Sequence, residues 1–272
     1  MRNLFKKMKG LAGCVLAICF ITLFAATTFA VDKDGIVLYL PFDEGQGKSV
    51  VDQSDKGNDG KIIGDANWVE GKNGKALEFN GTSDFVEVPN SPSLNITGEV
   101  TILAWIKLAA GWIPLQYGNI AGINKVGGQA EDAYFLNVGY FNKEHDKVSL
   151  GIIGEGVVET PLQGKTVVPQ DTWTFVGGVF SPGQFMRVYI DGKLDGEQLK
   201  GVPQKIHVAP TSFTVGAIVA SPAYSFGGII DDVVVYERAL TENEIQSVMK
   251  LGPLSVTPAG KLAVAWGKIK SE

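Results

Sequence analysis

The sequence predicts an all-β protein in which two antiparallel sheets pack face to face. Short runs of β-branched and aromatic residues recur along the chain, separated by Gly, Asn, Asp and Pro. Only one segment has helical periodicity, so the strands do not alternate with helices as they do in an α/β fold. About 220 residues follow the N-terminal segment, which is enough for a single sandwich with a large core.

The first 30 residues have the three parts of a secretory signal peptide. Four basic residues precede an apolar run, and Thr28 and Ala30 supply the small residues of a cleavage site. We therefore expect cleavage after Ala30 and a secreted or cell-surface protein. An uncleaved membrane anchor is an alternative, because the apolar run is about long enough to span a bilayer. A lipoprotein box ending at Cys14 is a third possibility.

Removal of this signal changes the charge and removes the cysteines. It leaves 20 Lys and Arg against 29 Asp and Glu, a formal charge of −9. Such an acidic balance argues against nucleic acid as a partner, and we expect membrane contact only if the signal is uncleaved. Both cysteines, Cys14 and Cys19, lie in the signal, so the mature chain forms no disulfide. An interaction other than a disulfide must therefore stabilise the loops of the mature chain.

The candidate strands follow one another along the chain. They are GIVLYLPF (35–42), KALEF (75–79), DFVEVP (84–89), VTILAWIK (100–107), AYFLNVGY (133–140), KVSLGIIG (147–154), SFTVGA (212–217) and GGIIDDVVVYERAL (227–240). A hairpin is predicted over 172–194, and Asp191-Gly192 supplies a turn that tolerates positive φ. The segment 109–133 is predicted to be a long loop.

The predicted helix lies in TENEIQSVMKLG. Thr241 is the N-cap, Glu244 is its capping-box partner, and Gly252-Pro253 ends the helix. Its apolar face consists of Ile245, Val248 and Met249. We expect this face to pack against the sandwich.

The last predicted strand contains two adjacent carboxylates, Asp231 and Asp232, between apolar residues. Side chains alternate between the two faces of a strand, so at least one carboxylate should be buried. A buried charge without a partner is too costly to keep. The partner is a metal ion, an arginine (Arg187 or Arg238), or backbone N–H groups.

Seven segments in order also resemble a known family. They are LYLPFDEGQG, GNDGKIIG, GKALEFNGTSDFVEVPNSPSLNIT, TILAWIK, WTFVGGVF, MRVYIDGK and GIIDDVVVYERALTENEI. Together they resemble the laminin-G-like jelly rolls of the concanavalin A-like lectin/glucanase superfamily over most of 35–250. The resemblance implies a two-sheet jelly roll with calcium near one rim and glycan or protein binding. The expected organisation is a signal at 1–30, the jelly roll at 31–253 and a short tail at 254–272.

The resemblance also implies a structural Ca²⁺ ion for the paired carboxylates. Its expected ligands are Asp43, Asn80, Asp84 and Asp232, with Asp231 in reserve. Calcium takes several carboxylate, amide and backbone oxygens in loose geometry, which suits this set. We expect Asp232 and Asp84 to share one ion, and the ion to serve as the device that holds the loops.

Catalysis is not expected. Glucanases of this fold carry an ExDxE-type carboxylate cluster on one strand, and this sequence has none. The nearest approaches, Glu155 with Glu159 and Glu131 with Asp132, lie in or beside Gly-rich stretches and are interpreted as solvated charges. The two histidines have no nearby Ser or Cys with which to form a triad. A glycan-active enzyme therefore ranks third among the functional hypotheses.

Aromatic and amide side chains in connecting segments are the candidates for ligand contact. Sugar rings stack on flat aromatic faces and hydrogen-bond through their rims. The candidates are Trp112, Tyr117, Asn119, Tyr140 and Tyr224. For each aromatic residue among them, packing over the edge of the sandwich is the alternative.

The first hypothesis is a secreted, calcium-stabilised, non-catalytic module that binds carbohydrate or another extracellular component. The alternative is a structural or adhesive envelope protein that contacts other proteins. The two differ in whether a purified polysaccharide retains the protein.

Overall fold

The computed structural model describes residues 33–125, 129–139, 146–218, 221 and 224–254. In chain order the strands are β1 (Ile36–Leu40), β2 (Ser49–Val50), β3 (Gly60–Ile63), β4 (Asn67–Glu70), β5 (Lys75–Asn80), β6 (Phe85–Val88), β7 (Val100–Leu108), β8 (Gly118–Gly122), β9 (Tyr134–Val138), β10 (Lys147–Gly154), β11 (Val158–Val167), β12 (Thr174–Ser181), β13 (Phe185–Ile190), β14 (Lys193–Gln198), β15 (Phe213–Val215) and β16 (Gly227–Tyr236). A 3-10 turn covers Gln129–Glu131, and helix α1 covers Glu242–Leu251.

These strands form two antiparallel sheets of eight strands each, so the predicted all-β sandwich is confirmed. Sheet A has the order β14-β13-β12-β7-β16-β5-β4, with β1 also paired to β16. Sheet B has the order β11-β10-β9-β8-β15-β6-β3-β2. Seven of the fourteen described strand pairings join strands that are not consecutive in the chain, as in a jelly roll.

Two apolar clusters hold the sandwich together. The larger lies between the sheets and includes Phe42, Tyr134 and Phe226. The smaller covers the outer face of sheet A, where Trp105 and Phe175 pack beneath α1. Strands such as β7 are therefore buried on both faces and contain continuous apolar runs instead of alternating ones.

Two local predictions are confirmed in detail. In α1 the Thr241 side chain accepts from the Glu244 N–H, and the Glu244 carboxylate accepts from the Thr241 N–H. Gly252 ends the helix by donating its N–H to Val248 O. In the β13–β14 hairpin, Asp191 and Gly192 both have positive φ, 49° and 72°, as a two-residue turn requires.

The predicted loop at 109–133 is wrong in its centre. Residues 118–122 form β8, an inner strand of sheet B that is buried throughout. Its sequence, GNIAG, has the glycine and asparagine of a loop, and neighbouring strands override that local preference. The prediction also missed β2, β3, β4, β11 and most of β14 as separate strands.

The predicted alternation along β16 is also wrong. The register against β7 shifts between Asp231 and Val234, and Asp232 has φ 50°. This β-bulge adds one residue, so Ile230 faces the same core as Val233 and Val235. Both aspartates are consequently buried.

The predicted signal (1–30) and all but the first residue of the predicted tail (254–272) lie outside the described residues. Leu254 packs against the cluster beneath α1. Within the described part of the chain, no helix has the length and apolar character needed to cross a membrane.

Candidate functional site

The two aspartates of β16 lie where this strand changes its partner. Gly227 to Ile230 pair with β5, and Val233 to Tyr236 pair with β1. Asp231 and Asp232 lie between these two paired segments, where neither β5 nor β1 pairs with β16. Hydrogen bonds to their side chains take the place of the strand pairing there. Asp231 Oδ2 accepts from the N–H groups of Lys72 and Asn73 at 2.8 and 3.1 Å.

Asp232 joins the same turn to β1. Its Oδ1 accepts from the Tyr39 hydroxyl at 2.7 Å, and its Oδ2 accepts from Asn73 Nδ2 at 2.8 Å. Asp43 holds the other end of the turn, because its Oδ1 accepts from the Lys75 N–H at 2.8 Å. The three carboxylates thus clamp residues 71–75 onto β1 and β16.

Backbone N–H groups, and not arginines, are therefore the partners of Asp231. Arg187 pairs with Glu197 and Arg238 with Glu244, each at 2.7 Å. Burial, and then the Asp232 charge, raise the pKa of Asp231 to about 7. Burial also raises the pKa of Asp232, against hydrogen bonds from Asn73 and Tyr39 that lower it.

The structure contradicts a single ion shared by Asp232 and Asp84. Asn80 pairs with Gly227, five residues before Asp232, and at about 3.3 Å per residue this separation is roughly 16 Å. Asp84 accepts from the N–H groups of Asp65 and Asn80. Asn80 Oδ1 accepts from the Thr82 and Ser83 N–H groups.

These N–H donors direct partial positive charge at the Asn80 and Asp84 oxygens. These hydrogen bonds fasten the β5–β6 turn. Neither the alternation of side chains nor the family resemblance could show that Asn80 and Asp84 form a group separate from Asp231 and Asp232. Both groups lie beside β16.

Asp43, Asp231 and Asp232 also accept hydrogen bonds, but one of their oxygens is left for a cation. Asp231 Oδ1 is buried without a hydrogen-bond partner, and no salt bridge with a Lys or Arg of the described residues offsets the three charges. The described residues contain no ready-made group of three or more His, Cys, Asp or Glu for a metal. Amide or backbone oxygens of the Asn73 turn would have to complete the shell.

A separate open cleft lies at the rim where β5, β7 and β16 begin or end. It has a volume of about 470 Å³ and contains the Trp112 ring beside polar groups. Its polar side chains are Asp65, Asn67, Glu78, Asn80 and Asp84. Asn67 and Glu78 are directly opposed on β4 and β5, and both are exposed.

The position of Trp112 depends on three glycines and one glutamine. A Cβ on Gly81, Gly118 or Gly227 would overlap the indole, so these residues make room for it. Phe226 contacts the ring with centroids 5.4 Å apart. Gln170 accepts from the Gly111 N–H at 2.8 Å and donates to Trp112 O at 2.9 Å, which fixes the turn.

Trp112 also borders a second, more apolar cleft of about 640 Å³. Leu108, Ile113 and Val167 are among its lining residues. Ile113 is 69% exposed, and the nearby Leu115 is 77% exposed. Together they form an apolar surface beside the polar cleft.

Two other predicted ligand residues, Asn119 and Tyr117, lie in or next to β8. Asn119 is fully buried in β8 and donates to Thr214 Oγ1 and Ala217 O, so its predicted ligand contact is wrong. Tyr117 is buried, and its ring lies 4.7 Å from that of the half-buried Tyr224. Tyr140 lies outside the described residues.

The carboxylates considered for catalysis have structural contacts. Glu155 pairs with Lys205 at 2.7 Å, and Glu131 pairs with Lys125 at 2.6 Å. Asp132 accepts from the Lys125 N–H, and burial raises its pKa to about 6.

Comparison with known families decides the affiliation. A family model of the concanavalin A-like lectin/glucanase superfamily, Laminin_G_3, matches residues 80–246, more than half of the chain. The chain belongs to this superfamily. No match to a curated protein sequence was found.

Similar solved structures are binding domains. Domain 4 of AbnA, an extracellular arabinanase from Geobacillus stearothermophilus solved with arabinotriose, is 19% identical, with a TM-score of 0.61 over 80% of this chain and 99% of that domain. The binding domain of Paraclostridial Mosquitocidal Protein 1 is 12% identical, with a TM-score of 0.62 over 79% and 52%. The ligand-binding domain of botulinum neurotoxin serotype D, solved with N-acetylneuraminic acid, is 15% identical, with a TM-score of 0.58 over 79% and 50%.

The chain spans about half the length of the toxin domains that it matches. At these identities the similarity concerns the fold.

Proposed function

We propose that this chain is a secreted laminin-G-like module that binds neutral carbohydrate without cleaving it. The observation that carries the proposal is the rim cleft, where Trp112 stands beside opposed polar side chains. An aromatic ring next to amide and carboxylate groups matches the two faces of a sugar, its apolar C–H patch and its hydroxyl rim. The arabinanase domain with arabinotriose and the toxin domain with neuraminic acid support carbohydrate as the ligand class.

The charges of the cleft favour neutral or amino sugars. Asp65, Glu78 and Asp84 line it, and no Lys or Arg is among its described lining residues. Sialylated or uronic chains would place like charges together, which is unfavourable. The expected ligand class therefore differs from the neuraminic acid of the toxin domain.

The test is retention of the purified domain in gels that contain neutral polysaccharides such as arabinan, galactan and glucan. We expect at least one to retard the wild type, and Trp112→Ala to migrate as in a polysaccharide-free gel. Trp173→Ala is the matched control, because Trp173 is a half-buried tryptophan that packs beneath α1. Equal retention of Trp112→Ala and wild type would contradict the proposed site, and so would retention only on polyuronic acids.

Calcium is the second part of this proposal, with Asp43, Asp231 and Asp232 as its expected carboxylate ligands. Calcium would supply the positive charge that the three carboxylates lack. For a site of extracellular strength, near-saturating calcium should contribute on the order of 1–3 kcal/mol to the free energy of unfolding. A chelator should therefore lower the melting temperature of the wild type by several degrees.

Two variants separate the two acidic groups. Asp232→Asn should melt low and respond little to the chelator. Asp84→Asn should also melt low, since it loses a turn contact, but should keep the wild-type response. If the chelator leaves the wild-type melting curve unchanged and elemental analysis finds no calcium, the ion is excluded.

The alternative, a protein-contacting envelope component, is favoured by one feature, the apolar surface of Ile113 and Leu115. Contiguous exposed apolar groups commonly mark protein contacts. This alternative predicts no retention by any polysaccharide, together with self-association in sedimentation that Ile113→Ser weakens.

A further inference from the structure

Trp112 lines two clefts of different polarity. The rim cleft, of about 470 Å³, and the apolar cleft, of about 640 Å³, both include it in their walls. Gly111 lines the rim cleft and Ile113 lines the apolar cleft. At about 3.8 Å between successive Cα atoms, these two wall residues are within about 8 Å of each other. Trp112 is half-buried, so one small molecule that lies over its exposed part reaches both clefts.

The apolar cleft is lined mainly by aliphatic side chains. Seven of its ten described lining residues are apolar, and the two charged ones, Asp146 and Lys147, have opposite signs. Ile113 and Val167 are 69% and 53% exposed, so their apolar surface faces solvent. Removing such surface from water favours binding. A bare sugar ring would instead place hydroxyl groups against these side chains, where they find few partners.

The turn around Trp112 is held by hydrogen bonds and by packing. Gln170 accepts from the Gly111 N–H and donates to Trp112 O. The Trp112 N–H donates to Ala109 O at 3.1 Å, and the indole packs on Phe226. Both clefts therefore exist before a ligand binds, which lowers the entropic cost of binding.

We propose that the ligand is a neutral glycan that carries an alkyl or acyl chain, as a glycolipid does. Its sugar occupies the rim cleft, and its chain lies across Trp112 onto Ile113 and Val167. A flexible chain gains dispersion contacts along its whole length with aliphatic walls. Three carboxylates and no Lys or Arg are among the described lining residues of the rim cleft, which disfavours an anionic head group. This ligand class rests on the proposed function, since its sugar fills the rim cleft.

The test measures how affinity depends on chain length. Methyl, butyl and hexyl glycosides of glucose, galactose and arabinose are titrated against the purified domain, each below the concentration at which it forms micelles. Binding is followed through the tryptophan indole N–H signals. Complete burial of one methylene group corresponds to about a fourfold gain in affinity, and an open cleft buries a chain only in part. For at least one sugar, the hexyl glycoside should therefore bind about 10 to 100 times more tightly than the methyl glycoside.

Two variants and one sugar-free compound locate the origin of this gain. Ile113→Ser should abolish most of the gain and leave the affinity for the methyl glycoside unchanged. Leu199→Ser is the matched control, because Leu199 is 60% exposed and lines neither cleft, so it should keep the full gain. Hexyl triethylene glycol has the same chain without a sugar and should bind much more weakly than the hexyl glycoside.

Four results would each overturn the proposal: equal affinities of the methyl and hexyl glycosides for every sugar, a gain that survives Ile113→Ser, a sugar-free chain that binds as tightly as the hexyl glycoside, or no binding of any glycoside. If the apolar cleft serves protein contact instead, the glycosides bind equally and Ile113→Ser weakens self-association. The proposed function has a separate readout, because polysaccharide retention through Trp112 requires no alkyl chain. Equal retention of Trp112→Ala and wild type would contradict that function whatever the effect of chain length.

Discussion

Replacing Asp231 with asparagine should remove much of the pH dependence of stability in calcium-free solution. The pKa of Asp231 is raised from 3.8 to about 7 in the folded protein. The folded state therefore holds the proton more tightly than the unfolded state, and the free energy of unfolding falls as pH rises from about 4 to about 7. Between pH 5 and pH 7 this loss is at most about 2.7 kcal/mol, at 1.36 kcal/mol per unit.

The assay is urea unfolding in chelator at pH 5 and pH 8, for wild type and Asp231→Asn. Other carboxylates titrate in both proteins, so the difference between the two pH responses isolates Asp231. The wild type should lose about 2–3 kcal/mol more than the variant on going to pH 8. If wild type and Asp231→Asn lose the same free energy of unfolding between pH 5 and pH 8, burial does not raise the pKa of Asp231 as argued. Calcium should restore stability mainly at pH 8, because only ionised carboxylates bind it.

Three further predictions concern separate parts of the chain. Thr241→Ala removes the capping box and should cost about 1 kcal/mol, seen as a fall of about 2–4 °C in melting temperature; an unchanged value would contradict the cap's role. Gly118→Ala places a methyl group against the indole, so polysaccharide retention should weaken while far-ultraviolet circular dichroism stays unchanged. N-terminal sequencing of secreted protein should begin at Val31, and a start upstream of Thr28 would exclude this cleavage site.

Much of the fold could be predicted because local chemistry and tertiary structure agree. The capping box at Thr241 and the turn at Asp191-Gly192 depend on neighbouring residues, which a sequence shows directly. Strand β8 could not be predicted in this way. Its glycines and Asn119 resemble a loop, and only pairing with β9 and β15 makes the segment a strand.

The carboxylate site shows the same limit. The sequence identified Asp231 and Asp232 as a buried pair that needs partners, and it listed backbone N–H groups among the candidates. It could not show that a bulge buries both side chains, or that Asp84 lies at the other end of β5. Asn73 and Tyr39 were missed because their roles come from contacts more than 150 residues away in sequence.

Of the residues that line the rim cleft, only Trp112 was predicted as a ligand contact, whereas Asn80 and Asp84 were predicted as calcium ligands. Its opposed partners Asn67 and Glu78 lie on two strands whose register no local pattern specifies.

The most direct test of carbohydrate binding at the rim is a titration followed through the tryptophan indole N–H signals. The chain has five tryptophans, and the Trp112 signal is identified by its absence from the Trp112→Ala spectrum. Titration with oligosaccharides of a polysaccharide that retains the protein, or with arabinotriose if none does, should shift the Trp112 signal most and leave that of Trp173 in place. A Trp112 signal that stays fixed at saturating oligosaccharide would contradict binding in this cleft.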